Sequence, residues 1–115
     1  MQENVNDPHI HVEVNLFRGT ATRKMLASTF GLVADLPTRV TTGCGEQVSL
    51  AMTSPRPEKV TCLACREHAA RWHTRAAEEA AEMHRLDSMA LVVQPEQFRQ
   101  SIAEHRALAE RFAAR

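Results

Sequence analysis

The chain has no tyrosine, one tryptophan and four phenylalanines among 115 residues, and its hydrophobic fraction of 43% leans on alanine. A sequence so poor in large side chains buries only a modest core, so a cross-link that supplements packing is expected. Excess charge is also lacking, since 14 basic residues balance 14 acidic ones. That balance gives no overall attraction to nucleic acid, although a local basic patch is compatible with it. No apolar run approaches the roughly 18 residues that cross a bilayer, so no membrane span is expected. The polar, acidic start, Met1 to Pro8, does not read as a signal peptide. A cytoplasmic location follows as an expectation. There disulfides do not persist, and three cysteines are an odd number for pairing. Metal ligation is the better use for them.

Residues 1–8 read as a flexible leader, residues 9–70 as a β-rich metal-binding domain, and residues 71–115 as a helical region continuous with it. From His9 to Leu16 polar and apolar residues alternate strictly, which predicts a strand burying Ile10, Val12, Val14 and Leu16 on one face. The pattern from Met25 to Leu36 fits a short strand or an irregular packed segment. Thr38–Thr42 is β-branched and runs into Gly43-Cys44-Gly45, and Gln47–Met52 reads as the returning strand of a hairpin. Thr53–Pro57 is a loop with two prolines. Helical periodicity then begins, with Thr61 as N-cap and Glu67 near the positive end of the helix dipole. Ala69, Trp72, Ala76, Ala80, Met83 and Leu86 make one apolar stripe ending near Asp87-Ser88. Met89–Val93 is a short apolar stretch before Pro95, which suits a first helical position. Phe98, Ile102, His105, Leu108 or Ala109, and Phe112 make a second stripe. The expected fold is α+β: a small zinc-clamped β-hairpin or three-stranded sheet followed by two C-terminal helices.

The chemistry gathers at the cysteines. Cys62-Leu63-Ala64-Cys65 is a C-x-x-C at a helix start, a spacing that lets two thiolates reach one ion, and the helix N-terminus lowers their pKa. Cys44 sits between two glycines at a strand turn, where small neighbours let backbone amides point at the thiolate. Knuckles of this kind supply two ligands when a second cysteine precedes the turn, but Thr41 stands there. Structural zinc sites are four-coordinate, so a histidine must complete the set. His11 and His9 on the first strand are favoured over His68, because ligands at 62, 65 and 68 on one helix close a tetrahedron poorly. The competing readings are three reduced core cysteines, or a redox-active C-x-x-C, which normally requires a βαβ setting.

Thr42-Gly43-Cys44-Gly45 followed by Val60-Thr61-Cys62-Leu63-Ala64-Cys65, downstream of a strand bearing histidine, resembles a class of small actinobacterial and actinophage zinc-finger proteins with one histidine and three cysteine ligands. The likeness covers about residues 9–70. It implies one structural zinc and no defined activity. The long gap between His11 and Cys44 departs from the pattern.

Other readings carry less. His11-Val12-Glu13 spells the H-x-E of zinc nucleobase deaminases, but it lies on a strand rather than at a helix start, and Pro57 is not adjacent to Cys62. A zinc hydrolase also needs an open coordination position. Trp72 reads as core, and His73 and His84 as solvated helix histidines rather than a second metal site. The expected function is a non-enzymatic interaction module or small regulator contacting a protein partner through its helical tail. A homodimer through the C-terminal helix is a variant of that reading. The alternative is a nucleic-acid-binding zinc finger using Arg18, Arg23, Lys24 and Arg39.

Overall fold

Two short β-branched segments set the architecture. In the computed structural model, which describes residues 8–16, 39–87 and 94–114, β1 (Arg39–Thr41) pairs antiparallel with β2 (Gln47–Ser49), with Val40 opposite Val48. Both valines are buried. Two helices follow, α1 (Leu63–Leu86) and α2 (Pro95–Ala113), so the fold is α+β: an antiparallel hairpin and two C-terminal helices. The expected return strand over Gln47–Met52 is shorter, because Leu50–Met52 turns as a 3-10 helix. The Thr53 amide and hydroxyl both bond the Leu50 carbonyl there, at 3.1 and 2.7 Å. The segment Met25–Leu36, the basic residues Arg18, Arg23 and Lys24, the stretch Met89–Val93 and most of the expected leader lie outside the described residues.

The predicted first strand differs from its reading. Instead of a ladder, residues 9–16 make two isolated bridges, His11 parallel to Thr53 and Glu13 antiparallel to Thr42. The His11 amide donates to the Met52 carbonyl at 2.9 Å, and Gly43 donates to the Val12 carbonyl at 2.9 Å. The segment is therefore stitched to two different stretches and covered on both sides. His11, Val12 and Glu13 are all buried, whereas Val14 is 47% exposed. Period-two alternation assumes one solvated face, and this segment has none over its central residues.

The chain divides into two compact units, Met1–His68 and Ala69–Arg115, and the division falls within α1. In the second unit, the buried row on α1 is Ala69, His73 and Ala77, which shares Ala69 with the predicted stripe and then runs one position past its Trp72 and Ala76. Met83 and Leu86 are 55% and 76% exposed. The reason is steric. Alanines at i and i+8 flank His73 and let the Phe112 ring of α2 stack on the imidazole at 5.8 Å and 14°. His73 also meets His105, their Nδ1 atoms 2.9 Å apart, while His84 lies against Phe98 at 5.1 Å. Contacts of 73 with 105 and 112, and of 84 with 98, run the two helices antiparallel. The α2 stripe is buried at Phe98, Ala109 and Phe112. Pro95 occupies the first turn, and the Gln97 side chain accepts the Gln94 amide at 3.3 Å. Among the described residues no helix is long and apolar enough to cross a membrane.

His73 is therefore a core residue rather than a solvated one. Burial, and secondly the neighbouring His105, lower its pKa from 6.5 to about 4. In the unfolded chain the imidazole takes its proton near pH 6.5, and in the folded unit not until about pH 4. The unfolded state thus binds more protons between those values, and stability rises with pH across that window. Helix content monitored by circular dichroism during thermal melts is expected to show a falling midpoint from pH 7 to pH 4. Metal ligands also protonate in acid, so the test is a flatter pH profile in a His73→Leu variant. An identical profile would refute this role.

Candidate metal centre

The site is assembled from three stretches that are distant in sequence. At the hairpin turn the Thr42 amide donates to the Glu46 carbonyl at 2.8 Å and the Gly45 amide to the Thr42 carbonyl at 3.0 Å. Gly45 adopts φ +93°, a conformation that favours glycine. Thr42 is fully buried. Its hydroxyl accepts the Glu46 amide at 3.0 Å and is hydrogen-bonded to Cys44 Sγ at 3.1 Å. The turn thereby holds the thiol in place through a residue whose role its sequence position did not reveal.

At the helix end, the first α1 hydrogen bond runs from the Arg66 amide to the Cys62 carbonyl at 3.0 Å. Cys62 thus takes the cap position expected of Thr61, and Cys65 falls in the first turn. Thr61 is used otherwise, its hydroxyl accepting the Ile10 amide at 2.9 Å. The Thr61 and Cys62 amides both reach the Ile10 carbonyl, at 3.0 and 3.2 Å, which ties the helix start to the segment carrying His11. Arg66 donates to the carbonyls of Pro57 and Val60 at 2.6 and 2.7 Å and so orders the proline loop. The helix carries no acidic residue in its first turn, so Glu67 does not serve the dipole as expected.

These ties bring together His11, Cys44, Cys62 and Cys65, whose four ligand atoms all lie within 4.8 Å of one another. His11 Nδ1 stands 3.5 Å from Cys44 Sγ and 3.4 Å from Cys65 Sγ. Zinc bonds of about 2.3 Å to sulfur and 2.0–2.1 Å to nitrogen make a tetrahedral N–S edge of roughly 3.5 Å. The observed edges match it. The donor set is also the soft thiolate and imidazole combination that suits zinc.

The electrostatics ask for a cation. Burial raises the Cys44 pKa, but hydrogen bonds from Thr42, Cys65, the Glu46 backbone and His11 outweigh it, and the net shift is downward. Cys65 is pushed up to about 12, first by burial, with further repulsion from Cys44 and Cys62. Cys65 is therefore a neutral thiol in the absence of an ion, because a further thiolate in this half-buried cluster would be repelled by its neighbours, and a divalent ion held there would reverse that balance by favouring deprotonation of its ligands.

The other candidate ligands go elsewhere. His9 is exposed, its Nδ1 3.3 Å from the Thr61 hydroxyl. His68 Nε2 donates to the Val14 carbonyl at 2.7 Å. Its ring lies over Gly43, where a Cβ would come within 2.7 Å of it. Gly43 is therefore small because His68 occupies the space, not because its amide faces Cys44. That amide donates to Val12. Among the described residues this is the one group of three or more metal-ligating side chains, and His73 with His84 does not form another. Comparison with known protein families, curated proteins and solved structures gave no match for this chain.

A methyl group at position 43 must displace the His68 ring, an overpacking expected to cost about 1–3 kcal/mol. Urea denaturation of Gly43→Ala should show that loss, with partial recovery when His68→Ala is added. Equal stability of Gly43→Ala and the parent would mean that the ring moves freely.

Proposed function

We propose that this protein is a small structural-zinc protein that acts as an interaction module or regulator and performs no catalysis. The observation that carries the reading is the convergence of His11, Cys44, Cys62 and Cys65 within 4.8 Å. One histidine and three cysteines complete a tetrahedron, the arrangement of structural rather than catalytic zinc, which keeps one position for water. In that role the ion supplies folding energy to a unit whose largest fully buried side chains are Val12, Thr42 and Cys65. The resemblance to actinobacterial and actinophage zinc fingers belongs to the same proposal. A protein partner is favoured by the exposed Met83 and Leu86 at the end of α1, beside a cavity of about 300 Å³ that Phe98 also lines. The nucleic-acid reading keeps only Arg39 among the described residues, and no observation favours it.

Protein purified under reducing conditions without chelator is expected to contain about one zinc per chain by elemental analysis. Chelation or Cys44→Ser should unfold the unit that contains the hairpin, seen as collapse of its amide dispersion by NMR. Zinc-free yet fully folded protein would overturn the reading. For the partner, Met83→Ser combined with Leu86→Ser should abolish co-purification from the native host while leaving the metal content unchanged. Retention of the same partner by this variant would remove the helical tail from the proposal.

A further inference from the structure

Glu13 takes no part in the metal cluster, yet it is only 8% exposed, and its Oε2 is buried with no hydrogen-bond partner. A buried carboxylate oxygen without a donor is costly, and native proteins retain such groups where something else supplies the partner. Glu13 lines a cavity of about 200 Å³ together with Asn15, Arg39, Val40, Thr41 and Gln47. The wall opposite Glu13's own segment belongs to the hairpin. Thr41 and Gln47 face each other across β1 and β2, and the Gln47 amide donates to the Thr41 hydroxyl. The segment side is fixed by the hydrogen bond from the Val14 amide to the Thr41 carbonyl, 2.9 Å. The pocket is thus bounded by residues held in register, with a carboxylate among them.

We propose that this pocket is a binding site for a primary ammonium group, with Glu13 as its counter-ion. An ammonium offers three donors and no acceptor, which suits a cavity whose lining residues include Glu13, Asn15 and Thr41, each carrying a side-chain oxygen. The carboxylate is roughly two-fold about its last torsion, so either oxygen can receive the bond. Val14 and Val40 are the apolar residues of the lining. Arg39 carries the opposite charge but is exposed, so its field is screened by water, whereas the buried Glu13 acts at lower dielectric and dominates. Anions are the less favoured ligand for the same reason. The ammonium has two sources, a free small amine or a lysine side chain of another protein, and both present the same group.

The full chain, as purified with its metal, is titrated with n-butylammonium chloride and separately with the capped peptide acetyl-Gly-Lys-Gly-amide, following the amide resonances of Val14, Asn15 and Gln47. Saturable shifts confined to these residues are expected with at least one probe. Binding of the small amine but not the peptide assigns the free-amine source, and binding of the peptide assigns the side-chain source. Glu13→Gln keeps the shape and should weaken binding at least tenfold, with metal content and amide dispersion serving as the check on folding. If that variant misfolds, Arg39→Gln gives the independent reading. Removing the competing positive charge should tighten binding about threefold or more, and unchanged or weaker binding there overturns the proposal. So does the absence of saturable shifts with either probe, or equal binding by a folded Glu13→Gln variant.

Discussion

The hairpin unit turns on one electrostatic constraint: three sulfurs and an imidazole nitrogen are gathered so closely that ionising all three thiols at once is costly unless a cation joins them. Cys65 illustrates it, its proton held up to about 12 by burial and by its two neighbours. The backbone accepts this arrangement because each ligand is held independently. Thr42 sets Cys44, the helix start sets Cys62 and Cys65, and the bonds from the His11 amide to the Met52 carbonyl and from the Ser54 amide to the His11 carbonyl set the imidazole. Positions fixed beforehand lower the entropy cost of closing a site, which is how a chain with few large side chains brings four ligand atoms within 4.8 Å of one another.

Where the sequence was legible, local chemistry decided the outcome. The hairpin follows from β-branched residues on either side of a glycine turn, and the two helices follow from their spacing and from Pro95. The thiols announced themselves through C-x-x-C spacing and through Cys44 between glycines. Other features were hidden because they arise from contacts between distant residues. Alternation over residues 9–16 placed Val12 and Leu16 correctly in the core but missed the burial of His11 and Glu13 and the exposure of Val14, since the centre of that segment is covered on both sides. Past Ala69 the buried stripe of α1 lies one position from the expected one, since a histidine flanked by alanines accepts a phenylalanine ring better than the tryptophan row does. Gly43 illustrates the difficulty most clearly: its need to be glycine comes from the ring of His68, and nothing in the flanking residues signals that.

The two histidine environments explain each other. His11 lies among sulfurs, its Nδ1 within hydrogen-bond reach of two of them, and His73 lies among rings, where burial favours its neutral form. Both are buried, but one meets polarisable sulfur and the other aromatic carbon. The neutral net charge of the chain conceals this, because the ionisable groups that matter are not on the surface.

His11 and Cys65 are separated by 54 positions, and this separation bears on how the chain matures and varies. During synthesis, the set of His11, Cys44, Cys62 and Cys65 is not complete until the start of the long helix has left the ribosome, so the cluster assembles late for the N-terminal half. Between His11 and Cys44, the stretch joining Leu16 to Arg39 contributes none of the four donors. The four donors come from three separate stretches of sequence, so a substitution near any one of them can be felt at residues more than thirty positions away.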